Sequence, residues 1–298
     1  MKQSQLIYKI FLPIALLLLV LATIFNSLSL SLTYNSFTSN IGIGSPLSIL
    51  FIVFVSLCFI APIVLGFLTK ETSIITRTVK NTIFEKIASS IVILSLLALL
   101  GYDVVILFQE IAYAADIQGY TMSFSEALKQ HFELWRLFRA VLTIPFIVHL
   151  VFGFLPKSSV SPLVKAFFHC TAILWCMMTP IIIYFYSGTP PIPEYFRITF
   201  SIMFILFTLF LLFDFKWIYF DSSIRIYSAL TLITFIFASV ISVGTVVGLI
   251  ANSELSINEL SLSLFEVIVS ISLAIYSLSK WLEIYKTVNV VAENEEEK

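Results

Sequence analysis

Apolar positions along the chain come in long unbroken blocks. They show neither the alternation of a half-buried strand nor the narrow stripe of a surface helix. A hydrocarbon core of about 30 Å takes about 20 helical residues to cross. Eight blocks reach that length, at about 10–30, 46–68, 87–109, 137–155, 166–186, 195–215, 226–250 and 261–282. Within lipid the backbone has to satisfy its own polar groups, which only helices and closed barrels do. Blocks this long and this unalternating predict helices. The expected fold is an all-α integral membrane protein: a polytopic bundle of eight transmembrane helices, one transmembrane domain over 1–298. Arg197 lies just inside the sixth block, where a long basic side chain reaches back to the headgroups.

The connections are short. The longest, 110–136, has room for one surface helix. There Ser123 and Glu126 fit a capping box. Phe124, Leu128, His131, Trp135 and Phe138 follow at helical spacing, which predicts an interfacial helix turning into the fourth span. Residues 287–298 hold Glu293, Glu295, Glu296 and Glu297 and predict a short, frayed acidic tail. Lys2 and Lys9 ahead of an apolar block also suit a secretory leader. The block is longer than a leader core, and Ser27-Leu28-Ser29 is a weaker cleavage site than Ala-x-Ala, so the first span is expected to be retained.

Charge placement sets the orientation. With both termini cytoplasmic, the inward segments hold thirteen of the seventeen Lys and Arg residues. The outward segments hold Lys129, Arg136, Arg139 and Arg197. Trp135, Trp217 and Trp281 fall at predicted interfaces, where indoles settle. Composition agrees: 59% of residues are apolar, 12% are charged, and the net charge is −1. A water-soluble fold of this length leaves about a quarter of its unfolded surface exposed and could not hide so much apolar side chain. Soluble-enzyme, nucleic-acid-binding and disordered classes are excluded. Cys58, Cys170 and Cys176 lie inside apolar blocks and read as small hydrophobes, not as a disulfide framework.

Ionisable groups inside lipid cost about 2.5 to 3.5 kcal/mol each on insertion scales, so they usually have a reason. Asp103 and Glu266 stand out. Each lies about 8 to 9 Å below the outer end of its span at 1.5 Å per residue. Ser263, Glu266, Ser270, Ala274 and Ser277 share one face, small and polar, expected to point into the bundle. Tyr102 adjoins Asp103 as a hydrogen-bonding partner. Gly244 and Gly248 form a G-x-x-x-G pair that permits close helix packing, a role Gly101 is expected to share. Two acids meeting in low dielectric hold a proton or a bridging cation. His149 and His169, the latter near Cys176 and Met177, are expected in core or bundle contacts; no metal and no cofactor is expected. Pro13, Pro62, Pro145 and Pro180 interrupt four spans.

No G-x-x-x-x-G-K-[ST], H-E-x-x-H or G-x-S-x-G occurs. The function expected is a small-solute or ion transporter or permease, with Asp103 and Glu266 as the proton or cation site. Two alternatives stand beside it: a non-transporting accessory, scaffold or sensor subunit, and an enzyme acting on a lipid-linked substrate with the same acids. Expected partners are the lipid bilayer, a small solute or ion, and membrane proteins; nucleic acid is not one. The expected location is a membrane crossed many times, the cell membrane in a bacterium.

Overall fold

The computed structural model describes the backbone of residues 2–35, 40–41, 45–68, 83–116, 133–155, 159–185, 194–220, 223–251 and 264–296, with side chains described over slightly shorter ranges. The helices are α1 (Lys2–Thr33), α2 (Pro46–Leu68), α3 (Ile83–Asp116), α4 (Leu134–Phe152), α5 (Pro162–Phe185), α6 (Glu194–Tyr219), α7 (Ile224–Ala251) and α8 (Leu264–Glu296). A two-residue strand pair, Tyr34–Asn35 with Asn40–Ile41, follows α1. Among the described residues, eight helices are long and apolar enough to cross a membrane, which supports an integral, multi-pass membrane protein. Their outer faces agree. Leu17, Leu94, Phe108 and Leu163 are more than half exposed, a surface that acyl chains solvate and water does not.

Several helices outrun their apolar blocks. α3 extends from Ile83 to Asp116, about 51 Å at 1.5 Å per residue, well beyond a hydrocarbon core. Glu85, Lys86 and Glu110 end the apolar block, but they are good helix formers and do not end the helix. α8 likewise continues to Glu296, through most of the segment expected to fray. The predicted surface helix at Ser123–Trp135 lies largely outside the described residues; α4 begins at Leu134, earlier than its apolar block.

Six helices close a ring. α3 packs on α4, α4 on α5, α5 on α6, α6 on α7, α7 on α8, and α8 returns to α3. α1 and α2 pack on each other and on α7, outside the ring. Burial follows: 61% of the α8 span and 56% of the α7 span are buried, against 28% for α2, so α7 and α8 form the centre. Trp281, next to Lys280 on α8, is buried among these helices.

The α1–α7 contact uses the small-residue pair. A Cβ on Gly244 would stand 2.1 Å from Asn26 Nδ2, and one on Gly248 would stand 2.8 Å from Leu30 Cβ. The missing side chains let α1 lie against α7. Asn26 is fully buried there. Its Nδ2 donates to the Val240 carbonyl at 3.0 Å, and its Oδ1 accepts from the Tyr195 hydroxyl at 2.5 Å. Gly101 has no such role, since a Cβ there would meet nothing within 4 Å.

Candidate functional site

Two charge clusters sit at opposite ends of the ring, joined by the α3–α8 seam. Glu85 and Asp103 are eighteen residues apart on α3. That is five turns, so they share a face about 27 Å apart. Glu266 and Lys280, fourteen residues apart on α8, lie nearly on one face about 21 Å apart. Between the clusters the Ser95 and Ser272 hydroxyls meet at 2.7 Å. The end bearing Glu85 and Lys280 is called the basic end, because the predicted Lys- and Arg-rich segments border it.

At the far end α4 supplies a residue that the charge count assigned to an outward segment and the structure places inside the span. Arg139 is buried between Asp103 and Glu266 and bonds to both. Its Nε donates to Asp103 Oδ2 at 2.9 Å and its Nη2 to Asp103 Oδ1 at 2.5 Å, a two-pronged pair. Its Nη1 donates to Glu266 Oε1. Arg136, one turn earlier, places Nη1 3.6 Å from Asp103 Oδ1 and Nη2 2.8 Å from Glu133 Oε2. Glu133 in turn donates its backbone N–H to Glu110 Oε2 at 3.1 Å, tying the start of α4 to α3. Two guanidinium groups thus face two buried carboxylates, and three helices are clamped by one cluster.

The two acids proposed from sequence therefore share one site, and the cation between them is a side chain of the protein. Tyr102 is placed differently from expectation. Its ring lies 5.9 Å from the Arg136 guanidinium carbon and 5.3 Å from the Phe265 ring. Ser270 and Ser277 are buried as the face predicted. Their hydroxyls donate to backbone carbonyls of α8, at Glu266 and Ala274. Ser263 lies outside the described residues.

At the basic end the ring encloses a cavity of about 600 Å³, to which all six ring helices contribute. Glu85 comes from α3, His149 from α4, Lys165 from α5, Asp214 from α6, Tyr227 from α7 and Lys280 from α8. Lys280 Nζ donates to Glu85 Oε1, and the Tyr227 hydroxyl donates to Asp214 Oδ1. His149 and His169 stack with ring centroids 4.3 Å apart. His169 Nε2 lies 3.0 Å from the Leu211 carbonyl, which fixes the proton on that nitrogen. Cys176 is buried near the ring's middle, while Cys170 is exposed on the outside. Among the described residues no three His, Cys, Asp or Glu side chains group as a metal site.

Toward the far end the ring is filled. Trp175 is fully buried, with its indole N–H donating to Thr143 Oγ1 at 2.7 Å and its ring 5.4 Å from Phe146 and 6.0 Å from Phe204. Leu99 and Leu273 are buried at the seam. The arrangement is a chamber of mixed polar and apolar lining at one end, a packed middle, and an ion-paired cluster at the other end.

Sequence reasoning missed Arg139, Glu85, Asp214 and Lys280. Three of them carried a signal. The α8 face of Glu266, Ser270 and Ser277 continues in one more step to Lys280, and the α3 face of Asp103 reaches Glu85 by steps of four and three. Arg139 leads the buried stripe Arg139, Thr143, Phe146, Leu150 on α4. No family model matches this chain, and no curated protein and no solved structure is detectably similar to it.

Proposed function

We propose that the chain is a transporter of a small solute, oriented with the basic end and both termini in the cytoplasm. The chamber would receive solute from that side, and the Arg139 cluster would be the closed outer gate. The observation that carries this reading is the asymmetry of one ring: a chamber of about 600 Å³ at one end and a three-helix ion-pair clamp at the other. A chamber of that size suits a small organic ligand. A clamp of ion pairs has two discrete states, made and broken, as a gate requires. Asp103 and Glu266 serve here as gate partners of Arg139. The thirteen inward Lys and Arg residues support the orientation.

Alternating access makes a reciprocal demand: opening the outer end has to close the inner one. Spin labels at Leu134 and Leu264, both exposed on α4 and α8, report the far end; labels at Ile83 and Leu163, exposed on α3 and α5, report the basic end. In nanodiscs, Arg139→Gln is expected to lengthen the first distance and shorten the second. A lengthened far-end distance with no change at the basic end would remove the transporter reading and leave a static scaffold.

A further inference from the structure

On the chamber wall, Asp214 has a carboxyl whose hydrogen bonding is incomplete. Asp214 is 2% exposed, on α6. Its Oδ1 accepts from Tyr227, while its Oδ2 is buried and has no hydrogen-bond partner among the described residues. His169 Nε2 stands 3.7 Å from Oδ2 and is already engaged with the Leu211 carbonyl. The two clusters therefore differ in charge. At the far end Asp103 and Glu266 face Arg139 and Arg136, carboxylate against guanidinium. At the basic end Lys280 is bonded to Glu85 and Lys165 also lines the chamber, and among the described residues the basic group within ion-pairing distance of Asp214 is the His169 imidazole.

A buried carboxylate oxygen that accepts no hydrogen bond is costly. It asks for a cation, and the space around it decides which. Oδ2 is enclosed, so a hydrated metal ion or an organic ammonium would have to push side chains aside to touch it. A proton needs no room. We infer that Asp214 is the proton-binding carboxyl of the bundle, loaded from the chamber that its own side chain lines. The net step is a proton transfer from a hydronium in the chamber: its O–H bond breaks, an O–H bond forms at Oδ2 once the carboxyl turns that oxygen to the chamber, and water is left behind; the carboxylate becomes a neutral acid. This inference rests on the transporter reading and names the coupling ion for it.

The surroundings are consistent with that use. His149 from α4, Tyr227 from α7, and Tyr276 and Lys280 from α8 all interact electrostatically with Asp214, as does Tyr219 on its own helix. Glu85 of α3 joins through Lys280, and His169 of α5 stands beside the acid. His149 lines the chamber and stacks on His169, so water-borne protons reach within one ring of the acid. Tyr227 fixes the other oxygen and ties the carboxyl to α7, so a change of charge on Asp214 is felt across the α6–α7 contact.

The test is pH-difference infrared spectroscopy on the full chain in nanodiscs. The wild type is expected to show one poorly hydrated carboxylic-acid C=O band that converts to carboxylate as pH rises. Asp214→Asn should lose that band, while Asp103→Asn and Glu266→Gln should keep it. Tyr227→Phe removes the hydrogen bond to Oδ1 and should shift the band without abolishing it, so the assignment is decided even if Asp214→Asn does not fold. A wild type with no titrating carboxyl band, a band that survives Asp214→Asn, or one unmoved by Tyr227→Phe would overturn the inference. The spin-label distances need no proton site. If they move reciprocally while the band is absent, the proton site alone falls; if the band is present while they do not, the transporter reading falls.

Discussion

Arg139 is the residue on which the far end depends. Its guanidinium is buried, and its partners Asp103 and Glu266 are buried with it. Moving such charges out of water is expensive, and a geometry of several charge-assisted bonds offsets the cost. Removing one member is worse than never having the set, because the others are left uncompensated. Arg139→Gln is expected to lower stability by about 3–5 kcal/mol, read by thermal unfolding in detergent. Arg139→Lys should recover only part of this, since an ammonium lacks the fork that grips both Asp103 oxygens; full recovery by lysine would show that charge alone matters. At this scale the sequence exposed the acids, because a carboxyl in an apolar block is conspicuous. The arginine, although it leads a stripe on α4, was less conspicuous, because Arg136 and Arg139 stand at the edge of a block, where basic residues are ordinary. The burial of Arg139 comes from α3 and α8 closing over α4, a tertiary event that composition does not register.

At the scale of elements, the apolar blocks gave the number and order of the helices but not their ends. Hydropathy marks where lipid is crossed, whereas helix propensity and packing decide where the backbone stops winding. The G-x-x-x-G pair was legible as a packing device, and the partner it receives was not. Nothing in α7 alone says that Asn26 and Leu30 of α1 press against it. Gly248→Ala would put a methyl 2.8 Å from Leu30 Cβ, a rigid position close to the α1 backbone. A loss of about 1–3 kcal/mol is expected from overpacking. Leu30→Ala keeps the same Cβ and should therefore rescue it little, whereas Leu30→Gly should restore most of the loss, measured as recovered thermal stability of the double variant. Equal stability of Gly248→Ala and the wild type would mean that α1 is not held where α7 receives it. Gly101 looked equivalent in sequence, but it lies on a surface with open space around it, so its alanine variant is expected to be silent.

For the molecule as a whole, the decisive feature is how six helices are arranged and not any single group. Every ring helix contributes a wall to the chamber, and α3 and α8 carry an ionisable residue at each end of their shared seam. The periodicity of those two helices was readable, which is why the acids could be placed at one depth. The closure of the ring was not, because the identity of spatial neighbours is set by packing among eight similar apolar surfaces. The seam also explains how the ends can communicate: a tilt of α3 against α8 that parts Asp103 and Glu266 from Arg139 bears on Glu85 and Lys280 through the same two rods.

The one-ended chamber can be examined directly with a single thiol. Ser89 lines the chamber and is buried on α3. With Cys58, Cys170 and Cys176 replaced and Ser89→Cys introduced, a membrane-impermeant thiol reagent is applied to each face of sealed vesicles of known orientation. Modification is expected from the face bordered by the Lys- and Arg-rich segments, and protection from the other face while Arg139 is intact. Modification from the opposite face, or equally from both, would contradict a chamber sealed by the Arg139 cluster.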